Sequence, residues 1–352
     1  MVRTFSSMLL LLIMINPGIA QRIVEIDWLR YEESFPSGIL SDRSIVVIND
    51  RVNHQDQVDA SHRMLTQMGV DPVMYLKYED LKANHSVLLK YLTIFNAREI
   101  EHVILIDENK GKITFVIAKP SRDLLVDVTK PGWKAEGFSL QEALYLLALQ
   151  IKRSQVERTN YLVSEIPEQG TNITLFKGRN YKTYPSQLKR FPLAIERFQR
   201  IVIDDSSKVD ERIWKKISAY NQQVDKQNER LVQIFSQYPY KYKFVDHGAE
   251  ADLYRLGYQY VLRSMHASGR SIKDMLKYDD DQSETWFVTN IPMPDGKRTF
   301  RSIHSDEMVY KFYLQQTVVF DANVGRYWDA ERDWETALKN FIGHMIQQFT
   351  KQ

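Results

Sequence analysis

The chain has 352 residues, 43% of them hydrophobic and 26% charged, with 47 Lys and Arg against 45 Asp and Glu for a formal charge of +2. Such a composition excludes a disordered or fibrous chain, and the near balance of charge excludes a protein that coats nucleic acid, which needs a basic excess or stripe. Cysteine is absent, which removes disulfides, thiolate chemistry and lipid attachment through cysteine.

The first twenty residues read as a secretory leader. Arg3 supplies a positive start, Met8 to Ile15 (MLLLLIMI) is an apolar run too short to cross a bilayer, and Gly18-Ile19-Ala20 puts small residues where a signal peptidase inspects the chain. Cleavage is expected between Ala20 and Gln21, with an uncleaved anchor or a buried N-terminal strand as the bland alternative. A cysteine-free exported chain of this size suits a Gram-negative periplasm, so the expected location is periplasmic or secreted. Nothing later in the sequence is apolar for long enough to span a membrane.

Next come Ser44 to Ile48 (SIVVI), a buried strand, and Gln55 to Met68, a helix stopped by Gly69. Pro72 to Tyr78 is extended, and Ser86 to Phe95 is a helix capped by Ser86 or Asn84. His102 to Ile106 and Ile113 to Ala118 flank a polar stretch ending in Gly111, which predicts a hairpin. Phe138 to Ile151 closes the unit as an apolar helix. The fold class read from this order is α/β (mixed α+β), with two sheet-plus-helix domains: 21–155, then a connection with short strands over 156–208, then 209–352.

In the last part, Ile213, Ile217, Tyr220, Val224 and Leu231 form one helical stripe, and Tyr240, Tyr242 and Phe244 alternate with lysines as a half-buried strand. A helix over Ala251 to Leu256 precedes strands at Tyr258 to Leu262, Trp286 to Ile291 and Val309 to Phe320. In coarse order the second half repeats the first, so a duplicated topology is an expectation, although no residue pattern recurs.

The most motif-like stretch is FDANVGRYWDAERDW, residues 320–334. A calcium loop starting at Asp321 would need an oxygen ligand, a glycine and a bidentate glutamate where Gly325, Arg326 and Arg332 stand. A turn over 321–325 accounts for more: Asn323 and Gly325 tolerate left-handed backbone, Arg326 to Trp328 leaves as a partner strand, and Asp329 or Asp333 caps a helix striped by Trp334, Leu338, Phe341, Ile342 and Met345. The acids are read as caps and turn residues.

Other groupings carry less. Asn109 to Thr114 (NKGKIT) lacks the first glycine of a phosphate-binding loop, and the acidic run Asp279, Asp280, Asp281 and Glu284 reads as a solvated loop. No cofactor or metal is called for. The densest polar grouping at a strand end is Asp246-His247, with Glu250 and Asp252 following, whose bland reading is a helix start. Asp246, His247 and His304 are the candidate binding cluster, and their convergence with a further carboxylate would favour an enzyme.

Between residues 210 and 350, a strand, a hairpin turn, a strand bearing an aromatic, a WDA exit and the helix DWETALKNFI resemble the closing unit of small α/β domains in bacterial envelope proteins. The curli-secretion lipoprotein and the N-terminal domain of the Tol translocation protein are of this kind. The chain lacks the lipid-bearing cysteine of the first. The resemblance implies a binding or assembly role in the envelope with other envelope proteins as partners; the competing expectation is a periplasmic hydrolase whose acid and base come from distant carboxylates and histidines.

Overall fold

The structure, a computed structural model, describes residues 23–49, 54–160, 163, 166, 168–169, 175–176, 181–203, 207, 209–247, 250–278, 283–318, 322–323, 325 and 327–351. The expected leader and its expected cleavage site lie outside the described residues, as do Asp279 to Asp281, Asp321 and Arg326. The fold is mixed α/β, as the alternation of apolar runs and amphipathic stretches predicts.

In the first half, the β-branched run of β1 (Arg43–Ile48) is buried at every position after the first, the pattern of a central strand covered on both faces. It lies between β2 (Asp71–Lys77) and β3 (Ile100–Asn109), parallel to both. The helix α1 (His54–Met68) makes the first crossover, and α2 (Tyr78–Leu81) and α3 (His85–Ala97) make the second. Asn84 caps α3 by accepting from the Val87 amide at 2.8 Å. The predicted hairpin joins β3 to β4 (Lys112–Ala118), turning at Lys110 and Gly111 with φ of 54° and 74°. β5 (Trp133–Gly137) pairs antiparallel with β4, and α4 (Leu140–Ser154) follows with Ser139 as its cap.

The second half repeats this arrangement. Its first strand is β6 (Leu193–Glu196), four residues inside the stretch read as a connection, flanked in parallel by β7 (Tyr242–Val245) and β8 (Tyr260–Ser268). The helix α5 (Glu211–Phe235) leads from β6 to β7 and buries Ile213, Ile217, Val224 and Leu231, four of the five predicted stripe positions. The short α6 (Glu250–Arg255) leads on to β8. β11 (Met308–Gln316) then pairs antiparallel with β8, β12 (Ala322–Asn323) pairs antiparallel with β11, and α8 (Trp334–Thr350) closes the chain. The strand orders β2-β1-β3-β4-β5 and β7-β6-β8-β11-β12 therefore match in sequence and direction.

One addition breaks the symmetry. Where the first half turns tightly from its third strand to its fourth, the second inserts α7 (Gly269–Leu276) and a separate hairpin of β9 (Trp286–Pro292) and β10 (Arg298–His304). The core does not stop at the join. Val47, Leu88, Phe95 and Val116 of the first half belong to one buried cluster with Met265, Ile272, Phe287 and Tyr313 of the second. Polar groups fix the same seam: the buried Glu79 carboxylate accepts from the Ser268 amide at 3.2 Å and from the hydroxyls of Ser268 and Ser271 at 3.1 Å each. That places a carboxylate at the N-terminus of α7, where the helix field favours it.

The turn expected over 321–325 needs correcting. Leu314 pairs with Asn323 and Gln315 with Ala322, so the chain has already reversed before Ala322, and Asn323 sits in the ladder. Gly325 does take positive φ, +74°, and a Cβ there would meet the Tyr184 ring at 2.7 Å. Asp333 caps α8, accepting from the Thr336 amide at 2.8 Å. Asp329 is no cap: it is fully buried and ion-paired with Lys311 at 2.5 Å. Glu331 is buried too, pairing with Arg301 at 2.9 Å while its backbone bridges Tyr310.

Candidate functional site at the seam

In open sheets of this order, the crevice outside the carboxyl ends of the first and third strands is where ligands bind, because the two crossovers leave in opposite directions there. In the first half the crevice is filled by the protein itself. Asn49, just past β1, donates to Asp107 Oδ1 at 2.7 Å, and the Ile23 amide donates to the same oxygen at 3.3 Å. Behind them a 3-10 turn, Val24–Trp28, buries Glu25 against the Tyr78 hydroxyl at 2.7 Å and the Lys82 ammonium at 2.9 Å. Burial pulls Lys82 down, but the charge and hydrogen bond of Glu25, with help from Tyr220, leave it above the ordinary lysine range.

In the second half the crevice holds a charged cluster. β6 ends in Glu196, and β7 runs into Asp246 and His247, so that His247 Nδ1 meets Glu196 Oε1 in a short contact. Arg263, fully buried on β8, pairs through Nε with Glu196 Oε2 at 3.1 Å and donates from its terminal nitrogen to Ser86 Oγ and Gln315 Oε1, both at 2.7 Å. The N-terminus of α3, from the other half, completes the cluster. His85 sets its ring edge-on to His247 with centroids 4.6 Å apart, and Asn84 donates to the Ser264 carbonyl at 3.1 Å and the Tyr313 hydroxyl at 2.9 Å.

Electrostatics assign a state to one member of this cluster. Burial, then the neighbouring His247 and Lys82, push His85 down to about 4 against the opposing pull of Glu196 and Asp123. His85 is therefore neutral at pH 7, and a carboxylate orients the ring beside it. Ser86, the hydroxyl closest in sequence, has its oxygen occupied by Arg263, and among the described residues no nucleophile is aimed at His247.

The residues expected to form a cluster do not all meet. His247 sits at the crevice, whereas Asp246 turns outward to Arg197 at 3.2 Å with most of its side chain in solvent. His304 lies on β10, edge-on to Trp286 at 5.0 Å and near Asp306 at 3.7 Å, with no contact to His247. Asp252 pairs with Arg255 at 3.0 Å. The carboxylate that does meet His247 is Glu196, and His85 and Arg263 are the partners that sequence reasoning missed. A polar residue ending a short apolar strand was the only sign of Glu196. A cavity of about 1150 Å³ lies elsewhere in the first half and includes none of these groups.

Compared with known protein families, with curated proteins and with solved structures, the chain matches none. No helix among the described residues is long and apolar enough to cross a membrane.

Proposed function

We propose that the chain is an exported, non-enzymatic binding or assembly component of a bacterial cell envelope. The observation that carries this reading is the inserted hairpin. On β9, Phe287 and Thr289 point into the protein while Trp286 and Val288 stand 57% and 58% exposed; across the ladder, Phe300 on β10 is 61% exposed. The register pairs Trp286 with His304, Val288 with Ser302 and Asn290 with Phe300, so the three apolar side chains share one face. A contiguous exposed apolar face is where proteins meet partners, and this one stands on the element that the first half lacks. The leader and the resemblance to envelope domains supply the location.

The test is affinity capture from the native envelope with tagged mature protein, wild type beside Trp286→Ser/Phe300→Ser. The reading expects a defined set of envelope proteins with the wild type and its loss with the variant; an identical set from both would remove the hairpin from the argument. The hydrolase reading keeps one specific observation, the pairing of His247 with Glu196. It expects a hydrolytic activity that His247→Gln abolishes while partner capture is unchanged.

A further inference from the structure

The cavity of about 1150 Å³ in the first half exceeds the roughly 300 to 1,000 Å³ of ordinary ligand pockets, and its walls are held in place. It opens between the exposed side of α3 and two loops, residues 32–38 and 119–133. The loops are tied down: Gly132 donates to the Arg30 carbonyl at 2.8 Å, Glu32 donates back to the Gly132 carbonyl at 3.1 Å, and Asp127 donates to the Lys119 carbonyl at 2.8 Å. Gly38 closes one side so tightly that a Cβ would stand 2.1 Å from Asp42 Oδ2.

The lining divides into an apolar floor and a polar rim. Phe35 packs edge-on to Trp133 at 5.1 Å, with Leu92, Phe95 and Ile117 beside them. At the wall His102 is almost wholly buried, its Nε2 3.3 Å from Asp42. Around the rim, each acid is already engaged: Glu32 with Arg30 at 2.8 Å, Glu101 with Lys119 at 3.4 Å, and Asp127 with the Thr129 hydroxyl at 2.6 Å. Arg122 and Lys130 are exposed, and among the described residues neither has a carboxylate partner.

We propose that this cavity binds a small amphipathic anion, with an aromatic or aliphatic body on the Phe35 and Trp133 floor and one carboxylate, sulfonate or phosphate group between Arg122 and Lys130. The apolar body supplies affinity by leaving water, and the two unpaired cations fix its orientation. Preset walls lower the ordering cost of binding. The site is independent of the hairpin and of the seam.

The probe is 1-anilinonaphthalene-8-sulfonate titrated into the mature protein, read by dye fluorescence, with the uncharged N-phenyl-1-naphthylamine alongside. One saturable site is expected for the sulfonate, with affinity about tenfold weaker for the uncharged dye. Arg122→Glu/Lys130→Glu weakens sulfonate binding about tenfold and leaves the uncharged dye unchanged. Thr93→Trp, on the exposed side of α3, fills the opening and weakens both. Trp286→Ser/Phe300→Ser changes neither, which separates this site from the proposed partner face. Far-UV circular dichroism and thermal melts confirm that each variant is folded. Absence of a saturable site, equal affinity for the two dyes, or sulfonate binding that survives both groove variants would overturn the proposal.

Discussion

Two histidines, the half-buried His85 and the buried His102, make stability depend on pH. His85 is pushed down to about 4 by burial first and then by His247, and His102 is pushed down to about 4 by burial and then by Lys119. In the unfolded chain both titrate near an ordinary value of about 6.5. As pH falls from about 6.5 to about 4, the unfolded state takes up protons that the folded state refuses, so stability falls across that window and levels off below it. Urea unfolding followed over pH 7 to 4 checks this; His85→Asn/His102→Asn should flatten the decline. A second effect at this scale concerns Lys311 and Asp329, paired with both side chains out of solvent. Lys311→Met leaves a buried, uncompensated carboxylate and should cost roughly 3 to 5 kcal/mol, whereas adding Asp329→Leu should restore much of that loss. A double-mutant cycle in urea measures both.

Single elements show how far a sequence pattern carries and where it stops. The run SIVVI, the hairpin at Lys110 and Gly111, and the stripe of α5 were legible because burial on two faces or on one helical stripe leaves a periodic trace. β6 was not, since four residues between Pro192 and Arg197 are too few to show a period, although that strand lies inside its sheet between β7 and β8. β8 was cut short at Leu262 because Arg263 and His266 interrupt its apolar run; Arg263 is there to hold the seam, so the function of the position erased its pattern. β10 was hidden because five of its seven residues face solvent. Nor could the seam cluster be seen, since His85 and His247 are 162 positions apart and meet only because α3 of one half abuts β7 of the other.

The C-terminal helix needs a finer reading too: Phe341 is wholly buried, but Trp334 is only half-buried, edge-on to Phe198 at 5.1 Å. Phe341→Ala should therefore cost roughly 3 to 5 kcal/mol and Trp334→Ala clearly less. Gly325 and Gly111 both have φ of +74°, but only Gly325 stands against a ring. Gly325→Ala should cost more than Gly111→Ala, whose penalty is roughly 1 kcal/mol from backbone strain alone. Chemical denaturation of the two variants side by side reads the difference.

For the whole molecule, the shared core and the polar seam couple the two topologically equivalent halves. Met265, Ile272 and Phe287 pack in the same cluster as Val47 and Phe95, so pulling the halves apart would expose apolar surface on both. Urea unfolding should give one transition, coincident by far-UV circular dichroism and tryptophan fluorescence; two separated transitions would show that each half is stable alone. Glu79→Ala should lower the midpoint without splitting the transition, because it removes the acceptor for three donors at the seam while leaving each sheet intact.

The turn at Val24–Trp28 has a consequence in time. Its Asp27 carbonyl accepts from Lys216 at 3.1 Å, and Trp28 packs edge-on to Tyr220 at 5.9 Å, contacts that reach forward along the chain by 189 and 192 positions. At a synthesis rate of roughly 5 to 20 residues per second, those partners emerge some ten to forty seconds after the turn itself. The turn can thus reach Asp107 and Tyr78 within the first half, but it completes its contacts only once α5 has been made. The turn is thereby a late clasp between the halves, anchored early on one side and closed on the other by a helix that must first be made.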